Sequence, residues 1–196
     1  MESMTKDEQQ LLQQVLSSAK EVSAFRSPLN QKTDRGCALM AAAYLDTELE
    51  RLLKGHFVAD SKVVNNLFEY SGPLGAFSAR IDLAFAMGLL DGNTHRELHL
   101  VRKIRNEFGH QHEPLSFTTD AIKNRCTELN RAPHHSDDPR HLFTRTVMGL
   151  LAVIHFRMAH ATQPDVPADN LTTKNKLIAE EVTRVEPTYL RWILEL

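Results

Sequence analysis

The chain has 196 residues, with 23 Lys and Arg against 25 Asp and Glu, and a pI near 6.5. This balance disfavours strong direct binding to duplex DNA, because dedicated DNA-binding domains usually have a pI above about 9. The two cysteines, Cys37 and Cys126, are too few for a disulfide framework. Residues 1–25 lack the layout of a signal peptide, and no apolar run approaches the roughly 18 residues of a membrane span. We therefore expect a single domain over residues 1–196, cytoplasmic, with reduced thiols and no membrane contact.

Helical periodicity dominates the chain. A capping box at Thr5-x-x-Glu8 predicts the start of a first helix, which we expect to end at Ser27-Pro28-Leu29-Asn30. Further helices are predicted at about 34–54, 62–70, 77–90, 94–109, 119–129 and 141–161, with one or two short helices in the tail, 172–196. No sustained period-two alternation indicates strands. The sequence thus predicts an all-α domain of about seven helices.

The second predicted helix carries two signals. Small residues at Ala38, Ala41 and Ala42 predict the close approach of a neighbouring helix. Asp46, Glu48 and Glu50 are expected to form a solvated face, unless one of them pairs with Arg102 or Arg105.

Ten histidines are the compositional oddity, and they raise the question of a metal site. His95 and His99 are four residues apart on a predicted helix, so they share a face and could hold one edge of a metal. However, the zinc-protease pattern His-Glu-x-x-His and Cys-x-x-Cys pairs are both absent from the sequence. Phosphate-binding loops and nucleophile elbows are absent as well. We therefore predict neither a metal site nor a cofactor.

The segment from Arg102 to His110 offers chemistry without a metal. The apolar residues in and just before this segment are predicted to form the buried stripe of a helix: Leu100, Val101, Ile104 and Phe108. A histidine near neutral pKa can move protons at a ribose 2′-OH, and the forked cation of Arg105 can stabilise a phosphorane, with Asn106 positioning either group. Arg105 and His110 lie about 140° apart on an ideal helix, unless Gly109 ends it. The alternative is a solvated basic helix end, favoured by the helix dipole.

Two stretches resemble known families. Ser71-Gly72-Pro73-Leu74-Gly75 with Arg80-Ile81, followed by Ala86-Met87-Gly88-Leu89-Leu90, resembles the Gly-Pro-Leu…Arg/Lys-Ile…Gly-Leu core of the mannitol operon repressor family. Ile104-Arg105-Asn106-Glu107-Phe108-Gly109-His110 resembles the Arg-Asn-x-x-x-His signature of the HEPN superfamily. Together these matches cover about residues 35–125. Both resemblances imply a helical, HEPN-like bundle core.

The first resemblance implies a transcriptional regulator without a helix-turn-helix, acting as a homodimer through a protein partner. The second implies a metal-independent endoribonuclease of the toxin or defence type, regulated by an antitoxin. Its catalytic residues would be Arg105 and His110 in a cleft between protomers, supported by Asn106, with Arg102 and Lys103 binding RNA phosphates. A third possibility is an interaction module that retains these residues without activity. We favour the regulator and keep the nuclease as the alternative.

Overall fold

A computed structural model describes residues 6–59, 61–110, 115–129, 138–166, 176–177 and 180–181. In this part of the chain the helices are α1 (Lys6–Asn30), α2 (Asp34–Lys54), α3 (Ser61–Phe68), α4 (Phe77–Ala86), α5 (Gly92–His110), α6 (Asp120–Thr127) and α7 (Pro139–Ala159). The predicted all-α class is confirmed. The chain divides into two compact units, Met1–Pro164 and Asp165–Leu196, and all of these helices belong to the first. Most of the predicted tail, 172–196, lies outside the described residues.

The predicted end of the fourth helix is shifted, for a local reason. The fourth helix was predicted to reach Leu90 but ends at Ala86, because Gly88 turns the chain with a φ of 72°. The first helix ends at Asn30, within the predicted segment, and Thr5 of its predicted capping box lies outside the described residues.

The core is built around α2, which packs against α1, α4, α5 and α7. The predicted small residues Ala38, Ala41 and Ala42 are buried on it. They are joined by four leucines that are fully buried: Leu45, Leu49, Leu52 and Leu53. Burying a leucine is worth roughly 1.5–3 kcal/mol, so this helix contributes much of the stability of the fold.

The last helix, α7, is long and apolar enough to cross a membrane by length and composition, contrary to the expectation from the sequence. Its residues Val147, Leu150, Leu151 and Ile154 are fully buried within the fold. It packs against α1, α2, α5 and α6. The apolar character of α7 therefore has an explanation in core packing.

The acidic residues of α2 do not form a solvated face, and that expectation is wrong. Glu48 is buried, and its Oε2 lies 2.9 Å from Nε2 of His155, a buried residue of α7. Asp46 and Glu50 both pair with Arg80 of α4. Each of these carboxylates thus has a partner distant in sequence, which helical periodicity does not show, and Glu48 and Glu50 also pair with the nearby Arg51 and Lys54.

The glycines of the Gly-Pro-Leu segment are required by its tight packing on the end of α3. A Cβ atom at Gly72 would meet the carbonyl oxygens of Asn66 and Leu67. A Cβ atom at Gly75 would lie 2.7 Å from the carbonyl oxygen of Tyr70. Both contacts are with backbone, which cannot swing aside as a side chain can, so this turn admits only glycine at these positions.

Arg80 ties that turn to the core. Its Nε donates to the carbonyl of Leu74 at 2.8 Å, and its Nη1 donates to Asp46 at 2.8 Å. Its Nη2 lies 3.1 Å from Glu50, and the guanidinium carbon lies 5.4 Å from the centroid of the Phe68 ring. The Gly-Pro-Leu…Arg-Ile segment thus has a structural role, because the contacts of Arg80 link α2, α3 and α4.

Candidate functional site

The C-terminal half of α5 presents the predicted basic segment. The predicted inner stripe is confirmed, because Leu100, Val101, Ile104 and Phe108 are all buried. Glu107 pairs with Arg125 of α6 at 2.8 Å, which anchors this half of the helix to its neighbour. The polar side of the segment is therefore carried on a well-packed helix.

The predicted site residues on α5 differ in their exposure. Arg105 is exposed and donates from Nη1 to Oδ1 of Asn106 at 3.0 Å. Lys103 is exposed, whereas Arg102 is half-buried and its Nε has no hydrogen-bond partner among the described residues. The structure thus brings Arg105 and Asn106 into contact. We refer to Arg102, Lys103, Arg105 and Asn106 as the α5 strip.

His110 is the last residue of α5, but its side chain lies outside the described residues. The helix runs through Gly109 to His110, so the idea that Gly109 ends the helix is wrong. A helical backbone over Arg105–His110 keeps the two positions about 140° apart around one helix. The two predicted catalytic side chains therefore start from different sides of α5.

A second polar cluster lies in the N-terminal half of α5. Nε2 of His95 is 2.8 Å, and Nε2 of His99 is 2.9 Å, from the same Oδ1 of Asp82 on α4. The two Nε2 atoms are 3.2 Å apart. The ring of Phe85 packs 4.6 Å from that of His95, centroid to centroid. Hydrogen bonds from His95 and His99 lower the pKa of Asp82, so this carboxylate is ionised at neutral pH.

The sequence identifies only part of this cluster. His95 and His99 were recognised as a face of one helix, but Asp82 is on the preceding helix. Only the turn after α4, with Gly88 at positive φ, folds Asp82 back onto them. No local spacing rule reports that approach.

The cysteines do not take part in a site. Cys37 and Cys126 are buried and free. Burial raises the pKa of Cys37 to about 11 and that of Cys126 to about 12. Neither thiol is a nucleophile at neutral pH, because the thiolate is the reactive form.

Comparison with known proteins identifies the family. Residues 26–147 match the family model described as mannitol repressor (MtlR). Mannitol operon repressors of Escherichia coli K12 and of a second E. coli strain are each 25% identical over 128 residues, which is 61% of this chain and 66% of theirs. A chain of the X-ray structure of the MtlR–HPr complex from E. coli has the same fold, with a TM-score of 0.58, 21% identity and coverage of 71% of this chain and 99% of that one. Since the family model spans more than half of its residues, the chain belongs to the mannitol repressor family.

Proposed function

We propose that this chain is a transcriptional regulator of the mannitol-repressor type that acts through a protein partner. The observation that carries the proposal is the family match over residues 26–147, which includes both the Gly-Pro-Leu turn and α5. We expect the regulator to work in the cytoplasm, away from membranes, and as a homodimer.

Two features argue against direct reading of duplex DNA. The formal net charge is −2, whereas affinity for DNA comes largely from contacts of Lys and Arg with phosphates. The second feature is the packing of α2. The connection between α1 and α2 is only three residues long, which is the length found in a helix-turn-helix. However, α2 is packed by α1, α4, α5 and α7, so it is not free to enter a major groove. We therefore favour regulation through a protein partner over direct binding to duplex DNA.

The α5 strip is our candidate for the partner contact. Arg105 and Lys103 are exposed cations about 160° apart around a helix that is anchored to α6, on either side of half-buried Arg102, so a partner meets a positive surface that wraps around this helix. Such a surface suits an acidic face on the partner. The fold relative was solved in a complex with HPr. We propose that HPr, or a protein with a similar surface, binds this chain.

The test is calorimetric titration of the purified chain with HPr from the same cells. We expect saturable binding, weakened at least tenfold by the pair Lys103→Glu and Arg105→Glu, because each reversal places like charges across the interface (about 1.4 kcal/mol per tenfold). Lys62→Glu is the matched control, since Lys62 is an exposed cation on α3. Loss of affinity in the Lys62→Glu control equal to that of the pair would contradict a contact at the α5 strip. Absence of any binding by the wild-type chain would refute HPr as the partner.

The alternative function is a HEPN-type endoribonuclease. It is favoured by the exposed Arg105 and its contact with Asn106, which hold a cation and an amide together on the surface. Because α5 is helical through His110, we propose that Arg105 of one protomer would act beside His110 of another in a homodimer. Arg102 and Lys103 would then bind RNA phosphates, and an antitoxin would be the protein partner.

This alternative is tested by incubating the chain with RNA in the presence of EDTA. If the chain is a nuclease of this type, we expect products with 2′,3′-cyclic phosphate ends. The rate of cleavage should fall at least a hundredfold in His110→Ala and in Arg105→Ala. Lys62→Ala serves as the control on an unrelated surface. No cleavage by the wild-type chain, or equal cleavage by wild type and His110→Ala, would refute it.

A further inference from the structure

The cluster of Asp82, His95 and His99 joins two helices through three ligand atoms that meet at one point. We propose that these residues form a binding site for a divalent transition-metal ion. The site lies in the N-terminal half of α5, one helical turn before Lys103 of the α5 strip, and the proposal does not rest on the proposed regulatory function.

The distances fit an ion. Nε2 of His95, Nε2 of His99 and Oδ1 of Asp82 are separated by 2.8, 2.9 and 3.2 Å. Adjacent ligands of an octahedral ion with bonds of about 2.1 Å lie about 3.0 Å apart, and those of a tetrahedral ion lie about 3.4 Å apart. The three atoms therefore already have the spacing of one face of a coordination shell.

An ion would replace the hydrogen bonds that hold this cluster together. Both imidazole nitrogens face the same carboxylate oxygen while lying 3.2 Å from each other. Oδ1 of Asp82 has two lone pairs, so it can accept from both N–H groups. When the two nitrogens carry no proton, an ion among the three atoms accepts a lone pair from each, and Asp82 contributes one negative charge toward its two positive charges.

The ligand set selects the class of metal. Imidazole nitrogens suit Zn²⁺, Ni²⁺, Cu²⁺ and Fe²⁺, whereas Mg²⁺ and Ca²⁺ prefer oxygen ligands. Three protein ligands leave at least one position for water or another ligand. The site is accessible, since the side chain of Asp82 is 62% exposed and those of His95 and His99 are 27% and 21% exposed. The two histidines also line a surface cavity of about 430 Å³ together with Arg96, Lys103 and Glu128, whereas Asp82 lies outside its lining.

The ligands are held in place before any ion arrives. His95 and His99 are one turn apart on α5, which packs against α4, the helix that carries Asp82. The Phe85 ring restrains the imidazole of His95. Preorganisation of this kind reduces the entropy lost on binding. A bound ion would cross-link α4 and α5, the two helices that flank the turn at Gly88.

The test is titration of the chelator-treated full chain with Zn²⁺ by calorimetry, followed by Co²⁺ absorption spectroscopy. We expect one ion per chain at the site and a rise in melting temperature at saturation. His99→Ala and Asp82→Asn should each weaken binding at least tenfold, and the visible Co²⁺ bands of the wild-type chain should lose intensity. His141→Ala, which removes an exposed histidine of α7, should leave the Kd within about twofold.

Circular dichroism of the metal-free variants separates loss of the site from loss of the fold, and Asp82→Asn keeps the size of the side chain. Failure of the wild-type chain to bind up to about 1 mM Zn²⁺ would overturn the proposal. His134 and His135 are adjacent in sequence and lie outside the described residues, so they serve as a second test. The proposal would also be overturned if binding survived His99→Ala and Asp82→Asn but was lost when both of these histidines were replaced by Ala, because the ion would then bind elsewhere.

Discussion

Replacing Arg80 by Met should destabilise the fold substantially, because one side chain serves four groups around the Gly-Pro-Leu turn. The Arg80 side chain is 9% exposed and donates to the buried carbonyl of Leu74 at 2.8 Å. An orphaned buried carbonyl costs about 1–3 kcal/mol. The pairs with Asp46 and Glu50, whose side chains are 31% and 28% exposed, add at most about 1 kcal/mol each after solvent screening. We therefore expect a loss of about 3 kcal/mol.

The assay is urea unfolding followed by circular dichroism, with thermal melting as a second readout. For a chain of this size about 3 kcal/mol corresponds to a fall in Tm of roughly 6–12 °C. Arg80→Lys keeps a charge but loses the fork, so it should fall between wild type and Arg80→Met. Arg157→Met, at an exposed position of α7, should change stability by less than about 0.5 kcal/mol. A loss below about 1 kcal/mol for Arg80→Met would refute the structural role assigned to this arginine.

Three further predictions concern the turn and the thiols. Gly75→Ala should destabilise the chain by about 2 kcal/mol or more, because its Cβ meets the backbone carbonyls of Glu69 and Tyr70; unfolding midpoints should show it, and an unchanged midpoint would mean that the turn is not as tight as described. Cys37 and Cys126 should react with iodoacetamide at pH 8 at least about a hundredfold more slowly in the native chain than in guanidinium, and rapid native labelling would contradict their burial. Folding raises the pKa of Cys37 from 9.0 to about 11 and that of Cys126 from 9.0 to about 12, so the two protonated thiols contribute fully to the free energy of unfolding below pH 9 and lose this contribution as pH rises through that range. Replacing both cysteines by Ala should reduce the loss of stability between pH 8 and pH 10, measured by unfolding curves at the two pH values.

The fold was accessible from the sequence because its determinants are local. The apolar stripe of α5 was predicted residue by residue from helical periodicity, and Leu100, Val101, Ile104 and Phe108 are all buried. The fourth helix was placed correctly at its start, Phe77, but extended too far. Its end is set by the backbone conformation of Gly88, which the apolar pattern of the following residues conceals.

Long-range pairing was not accessible. Glu48 meets His155 from the far end of the chain, and Arg80 draws in Asp46 and Glu50 from another helix. The same limit applies to the candidate sites, since Asp82 joins His95 and His99 only through the tertiary fold. Spacing along one helix identifies which residues share a face, but it does not identify what a second helix brings to that face.

The central claim, that this family member regulates transcription through a protein contact at the α5 strip, is tested most directly in cells. The measurement is the transcript level of the mannitol operon, for which the E. coli relatives are named, in a strain that lacks the chain, complemented by wild type, by Lys103→Glu with Arg105→Glu, or by Lys62→Glu. We predict that the transcript rises on deletion and is restored by wild type and Lys62→Glu but not by the α5 pair, with all three proteins present at equal levels. A transcript that does not respond to deletion, or one that the α5 pair restores fully, would contradict the claim.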